Sequence, residues 1–142
     1  MRRFISGFFL LGAITVGASG CGSSTPTTPT TPTTPTTPTI TETFTGTLTT
    51  NGANTFPFTA TAGGTVTLTL TSLAPDATLP IGLSLGTWTG AACQVVLAND
   101  AAAQTAAISG TVTSAASLCA RIYDPATKVT TPLTFTVTIL HP

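Results

Sequence analysis

The stretch TVTLTLT at residues 65–71 decides the fold, because apolar residues alternate strictly with threonine along it. A period of two places successive side chains on opposite faces of a β-strand. Threonine is β-branched and favours extended backbone, so we expect its face to meet solvent while Val66, Leu68 and Leu70 face a core. The stretch TFTVTI at residues 134–139 repeats the pattern. Both stretches therefore predict half-buried strands.

Turn signals divide the surrounding sequence into further short strands. We expect these strands at residues 44–48, 56–60, 79–85, 93–98, 106–112 and 118–123. Asn51-Gly52 and Gly63-Gly64 are turn dipeptides, and Pro57 restricts its strand to an edge or a bulge. The alanines at residues 101–103 could form one helical turn at most. About eight strands predict an all-β domain, a single antiparallel β-sandwich over residues 40–142.

The chain begins with the features of an export signal. Arg2 and Arg3 form a positive segment, residues 4–16 are mostly apolar, and residues 17–20 are small. The apolar run is shorter than the roughly 20 residues that a membrane-spanning helix needs. Residues 1–20 are therefore predicted to be a signal peptide.

The segment ASGC at residues 18–21 resembles the lipobox of bacterial lipoproteins. The resemblance implies cleavage before Cys21 and attachment of lipid, such as palmitate, to its thiol and new amino end. Two or more acyl chains hold a protein stably in a bilayer. We therefore expect a lipid-anchored protein of the cell membrane or outer membrane, facing the periplasm or the cell surface. The alternative is an ordinary secretory signal with an unmodified Cys21.

Residues 24–39 form a low-complexity tract in which proline recurs at every third position with threonine between. Polyproline II has three residues per turn, which would align the prolines along one edge of an extended helix. The tract has no apolar residue beyond proline with which to build a core. We predict that residues 21–39 are a disordered or polyproline II linker, whose low-complexity tract reaches on the order of 50 Å.

Two cysteines remain if Cys21 carries lipid. An even number in an oxidising compartment predicts a disulfide between Cys93 and Cys119. The alternative, a metal or redox pair, needs closer spacing or more ligands. Strand alternation puts Cys119 on the face opposite Ala120 and Ile122, so the disulfide is expected on the outer face of a sheet or at a sheet edge.

The segments at residues 58–70, 118–124 and 135–139 resemble the bacterial pre-peptidase C-terminal domain. The resemblance implies a β-sandwich of jelly-roll type, often appended to secreted proteases, although no protease domain accompanies it in this sequence. Some members of that family bind calcium through loop carboxylates, which makes Asn99, Asp100 and Asp124 candidate ligands. The competing interpretation is that these side chains cap local backbone in turns. We expect no cofactor, with calcium as the alternative.

Charge and motifs exclude several classes of function. Without the signal peptide the chain has two basic and four acidic side chains, so it has no basic patch with which to bind nucleic acid. The single histidine, His141, is next to the last residue, where we expect it to be poorly held. With no catalytic motif in the sequence, we predict that the protein is not an enzyme.

Trp88 and Tyr123 are candidates for a ligand platform. Trp88 is flanked by glycines at positions 86 and 90, as on a loop or strand end, where an exposed ring could stack on a sugar. The competing interpretation is a tryptophan that covers one end of the core. We predict a non-enzymatic, lipid-anchored envelope protein, either structural or a protein-interaction module. The alternative is a carbohydrate-binding module that uses Trp88, and a partner would be an envelope protein or polysaccharide.

Overall fold

The structure, a computed structural model, describes residues 37–142. The predictions for the signal peptide, Cys21 and most of the linker lie outside these residues. Eight strands make up the fold: β1 (Ile40–Leu48), β2 (Ala53–Ala60), β3 (Gly64–Ala74), β4 (Ile81–Trp88), β5 (Cys93–Ala102), β6 (Ala107–Val112), β7 (Ala116–Tyr123) and β8 (Leu133–His141). The described residues contain no α-helix, and no helix among them could cross a membrane.

The strands form two antiparallel four-stranded sheets. The first sheet has the order β1-β8-β3-β6 and the second has the order β2-β7-β4-β5. This is the jelly-roll order, in which consecutive strands usually belong to opposite sheets. The predicted β-sandwich of about eight strands is confirmed.

The alternation in the sequence matches the two faces of the first sheet. Val66, Leu68 and Leu70 of β3 are buried, and so are the apolar residues of β8 from Leu133 to Ile139. The threonines between them point outward and meet across strands, as Thr45 meets Thr136 and Thr43 meets Thr138. Cross-strand threonine pairs are a favourable combination on a solvated face. The first sheet therefore has one apolar and one hydroxyl-covered face, as predicted.

Pro57 lies on β2, which is an edge strand of the second sheet, as the missing backbone N–H of proline requires. The predicted turn at Asn51-Gly52 is present, with Asn51 at φ 56° and a hydrogen bond from the Gly52 N–H to the Thr49 carbonyl oxygen. This turn joins strands of different sheets, because β1 pairs with β8 and β2 pairs with β7. It is therefore a crossover corner of the sandwich.

Two expectations, for Asn99-Asp100 and for His141, are corrected by the structure. Residues 101–103 form no helical turn, which is within the limit of one turn that the sequence allowed, because β5 continues to Ala102, which pairs with Ile81. Sheet pairing outweighs the helix preference of alanine here. For the same reason Asn99 and Asp100 lie within a strand and not in a turn. His141 is well held despite its position, since it ends β8 with 1% of its surface exposed.

Candidate functional site

The outer face of β4 is covered, which distinguishes it from the outer face of the first sheet. Gly82, Ser84 and Gly86 lie on the outer face of β4, away from the core, yet all three are buried. A Cβ on Gly82 would approach the Tyr123 ring to 2.5 Å, and one on Gly86 would collide with the Gln94 carbonyl oxygen. The small residues of β4 therefore leave room for its two neighbours, β7 and β5, to close over it.

Two links join β7 to β5 above β4. The first is the disulfide between Cys93 and Cys119, whose Cα atoms are 5.7 Å apart. The predicted disulfide is confirmed, and it lies on the outer face, where Cys119 pairs with Gly86. In the second link, the Tyr123 hydroxyl donates a hydrogen bond to the Asp100 carboxylate. The edge strand β5 is thus fastened to the interior of its sheet at both ends.

The electrostatics of the second link favour a neutral tyrosine. Burial, together with the hydrogen bond to Asp100 and the charge of that carboxylate, raises the pKa of Tyr123 to about 12. The Arg121 guanidinium lies 5.3 Å from the centre of the Tyr123 ring and opposes the rise. Tyr123 therefore acts as a stable hydrogen-bond donor across the strand.

The structure does not bring the two residues of the predicted platform together. Trp88 ends β4 opposite Cys93, while Tyr123 pairs with Gly82 near the other end of the same strand. Six residues of strand separate the two positions, a distance of about 20 Å. Trp88 is half-buried beside the disulfide. Trp88 and Tyr123 therefore form no common surface, and any ring stacking would involve Trp88 alone.

The side-chain oxygens of the three candidate calcium ligands accept hydrogen bonds from other groups of the protein. The Asn99 side-chain oxygen accepts the Ala101 N–H, and Asp100 accepts the Tyr123 hydroxyl. Asp124 follows β7 and accepts the backbone N–H groups of Asn51, Lys128 and Val129. Within residues 37–142, no cluster of three His, Cys, Asp or Glu side chains has the geometry to hold a metal ion.

The Asp124 carboxylate connects the β1–β2 corner with the loop that follows β7. Burial raises the pKa of Asp124, but the hydrogen bonds from Asn51, Lys128 and Val129 outweigh this effect and lower the pKa overall. The ionised carboxylate is therefore stabilised by the fold. This arrangement matches the capping interpretation of its sequence context.

We call the side of the sandwich formed by β1 and β2 the closed edge. Phe44 of β1 stacks on Phe56 of β2 with ring centres 4.8 Å apart, and Phe56 also contacts Phe135 edge-on. Farther along, the His141 ring lies 5.2 Å from that of Phe58 and its Nε2 atom lies 3.0 Å from Glu42 Oε1. Aromatic rings therefore span the two sheets along this edge.

We call the opposite side, formed by β5 and β6, the open edge. Val95, Val96 and Leu97 of β5 are 46%, 69% and 38% exposed. Leu97 pairs with Leu85 and Val95 with Gly86, so Val96 is the extra residue of a β-bulge. Between β5 and β6 lies a cavity of about 160 Å³ lined mostly by apolar groups. This site could not be located from the sequence, because the position of a strand at a sheet edge depends on the topology.

No protein-family model matches the chain, and no curated protein matches it. Among solved structures, the chain is similar to the crystal structure of the Yersinia pseudotuberculosis-derived mitogen, with 18% sequence identity and a TM-score of 0.45. The similarity covers 71% of this chain and 83% of the mitogen chain.

Proposed function

We propose that this protein is a non-enzymatic, lipid-anchored component of the cell envelope and that its β-sandwich is a protein-interaction module. The open edge is the observation that carries the proposal. Three consecutive apolar residues, Val95 to Leu97, are exposed on an edge strand. Contiguous exposed apolar surface often marks a site of protein association.

The composition of β5 strengthens this interpretation. Edge strands are ordinarily protected against pairing with another chain by charges, proline or a bulge. The other edge strand of the same sheet, β2, carries Pro57, whereas residues 93–98 of β5 contain neither a charge nor a proline. The bulge at Val96 is the protective feature present there, and it brings an apolar side chain outward. Association through this strand is the function that such exposure favours.

Site-specific photo-crosslinking in intact cells tests the interaction. A photoreactive amino acid replaces Val96 at the open edge or, as a control, the exposed Thr45 on the outer face of the first sheet. We expect a discrete crosslinked protein from position 96 and none from position 45. The same products from both positions, or none from either, would contradict an interaction at the open edge.

Fractionation tests the lipid anchor. The resemblance of residues 18–21 to a lipobox motivates the variant Cys21→Ser, which removes the thiol. We expect labelled palmitate to be incorporated into the native protein and not into the variant, and we expect the variant to leave the membrane fraction. Equal membrane retention and equal labelling of both chains would contradict the anchor.

Carbohydrate binding is the second candidate, favoured by the incomplete burial of Trp88 at the end of β4. A partly exposed indole ring can stack on a sugar through its apolar face. The test is retention on isolated envelope polysaccharide, comparing the native protein with Trp88→Ala. Retention that disappears in the variant would support this function, and absence of retention by either protein would reject it.

A further inference from the structure

The cavity at the open edge extends from solvent to the core of the sandwich. Val96 and Leu97 of β5 line its outer part, and the buried Val66, Leu85 and Leu118 line its inner part. A group entering between the two edge strands would therefore meet apolar side chains of both sheets. Burial of apolar surface is the main source of affinity that such a site offers.

Gly110 of β6 helps to form this cavity. Its neighbours Ile108 and Val112 are the other residues of β6 that face the core. A Cβ on Gly110 would come within 2.9 Å of Leu97 Cδ1, so the two positions face each other across the space between β6 and β5. A side chain added at Gly110 would project into the cavity, and its Cβ would displace only the end of a flexible leucine.

Volume and charge together restrict what the cavity can hold. Its volume is about 160 Å³, close to that of the engineered apolar cavity of about 150 Å³ that binds benzene. None of the charged side chains within residues 37–142 lines it. An ionised ligand would lose its hydration without gaining a partner. The fitting group is therefore uncharged, apolar and about the size of a six-membered ring.

We propose that this cavity receives one apolar side chain, of leucine or phenylalanine size, from a protein partner that docks on the open edge. The inference rests on the proposed function and specifies how the partner is recognised. The exposed Val95 to Leu97 run lies directly beside the cavity, so a partner covering that run would also cover the cavity mouth. An apolar side chain inserted in a pocket is a common anchor of protein interfaces.

The variant Gly110→Val tests the cavity by adding a side chain to its lining and deleting none. Valine is favoured in strands and would occupy part of the space between β6 and β5. The matched control is Ala107→Val, which introduces the same residue into the same strand, but on its outer, exposed face. Both variants enlarge the apolar surface of β6, but only Gly110→Val alters the cavity.

The first measurement uses benzene as the probe. The protein is the purified chain from position 21 onward carrying Cys21→Ser, so that no lipid or detergent competes for the site. We expect saturable shifts of the Leu97 and Val112 methyl resonances and a rise in Tm with benzene concentration. Gly110→Val should weaken benzene binding by at least about tenfold, and Ala107→Val should leave it unchanged.

The second measurement places the two β6 substitutions in the full chain with the photoreactive residue at position 96, in intact cells. We expect Gly110→Val to abolish the crosslinked partner and Ala107→Val to retain it. Loss of benzene binding with an unchanged partner would overturn the inference and leave the proposed function standing. Absence of any crosslinked partner would overturn both. Failure of benzene to bind the unsubstituted chain would overturn the cavity as an apolar site.

Discussion

The closed edge and the open edge of this sandwich occupy equivalent places in the topology but differ in side-chain size. Each edge consists of one outermost strand from each sheet, which are β1 and β2 at the closed edge and β6 and β5 at the open edge. At the closed edge, stacked phenylalanines fill the space between the sheets. At the open edge, aliphatic side chains and a glycine leave a cavity of about 160 Å³. The difference shows that the jelly-roll topology does not itself determine which edge is filled and which contains a cavity.

The two edges are also fastened differently. The closed edge has contacts within the core and at its corner, where Asp124 accepts the Asn51 N–H. At the open edge, β5 is held by two links on the outer face of the second sheet, the Cys93–Cys119 disulfide and the Tyr123–Asp100 hydrogen bond. Because these links lie outside the core, β5 is held in place while its inner side contributes to the cavity. Substitutions at each edge can test this division.

The largest expected effect follows from removing the disulfide. The double variant Cys93→Ala/Cys119→Ala opens a loop with a sequence separation of 26 residues. The chain-entropy relation gives a loss of about 3.5 kcal/mol in the free energy of unfolding. Urea denaturation of the oxidised protein and the variant measures it, and the reduced native protein serves as the control. An equally large loss of hydrogen-exchange protection in β1 and in β5 would contradict the view that the link serves the open edge.

The second prediction concerns the closed edge and its dependence on pH. The fold lowers the pKa of Asp124, so its contribution to stability is complete above the unfolded pKa of about 3.9 and is lost as the pH falls through the folded pKa. Asp124→Asn removes the charge and weakens three hydrogen bonds, at a cost of about 2 kcal/mol at neutral pH.

Urea denaturation at pH 7 and near pH 3 measures this dependence. The difference in the free energy of unfolding between the unsubstituted protein and Asp124→Asn should narrow at the lower pH. There the carboxyl of the unfolded chain, whose pKa is about 3.9, binds a proton more readily than the folded-state carboxyl with its lowered pKa. Asp76→Asn is the control, since Asp76 is an exposed turn residue whose pKa is also lowered, chiefly by the Thr78 hydroxyl. If the free energies of unfolding of the unsubstituted protein and Asp124→Asn differ by the same amount at both pH values, the role of the ionised carboxylate is refuted.

Much of this fold could be predicted from the sequence, but mainly where a strand has one solvated face. The alternation of threonine with Val66, Leu68 and Leu70 identified β3, and the equivalent alternation identified β8. The cysteine count identified the disulfide. The strand predicted at residues 79–85 matches β4 (Ile81–Trp88) only in part. This strand shows no alternation of apolar and polar residues, because Gly82, Ser84 and Gly86 are buried on its outer face by groups of β5 and β7. A local pattern of small residues does not indicate which strand will cover them.

The candidate site depended even more on tertiary arrangement. Val95, Val96 and Leu97 fall within the strand predicted at residues 93–98, and an apolar run of this kind is typical of a strand covered on both faces. Their exposure follows from the edge position of β5 and from the bulge at Val96. His141 shows the converse, because its place near the chain end suggested mobility while the pairing of β8 with β1 buries it.

The third prediction measures how tightly the closed edge is packed. A Cβ on Gly46 of β1 would approach Phe135 Cζ to 2.6 Å, and that ring is buried in the core. Gly46→Ala should therefore reduce the free energy of unfolding by about 1–2 kcal/mol through overpacking. Thermal and urea denaturation measure the loss. The exposed substitution Thr45→Ala on the same strand is the control, and an unchanged stability in Gly46→Ala would show that this edge can adjust.

The smallest effect is expected from the equivalent substitution at the open edge. Gly110 occupies the same kind of position on β6, yet a Cβ there meets only Leu97 Cδ1, the movable end of a partly exposed side chain. Glycine within a strand is entropically unfavourable relative to alanine by roughly 0.5–1 kcal/mol. Gly110→Ala should therefore leave stability unchanged or raise it by about 0.5 kcal/mol, measured beside Gly46→Ala under the same conditions. If both alanines destabilise the protein equally, the two edges are equally well packed and the comparison between them fails.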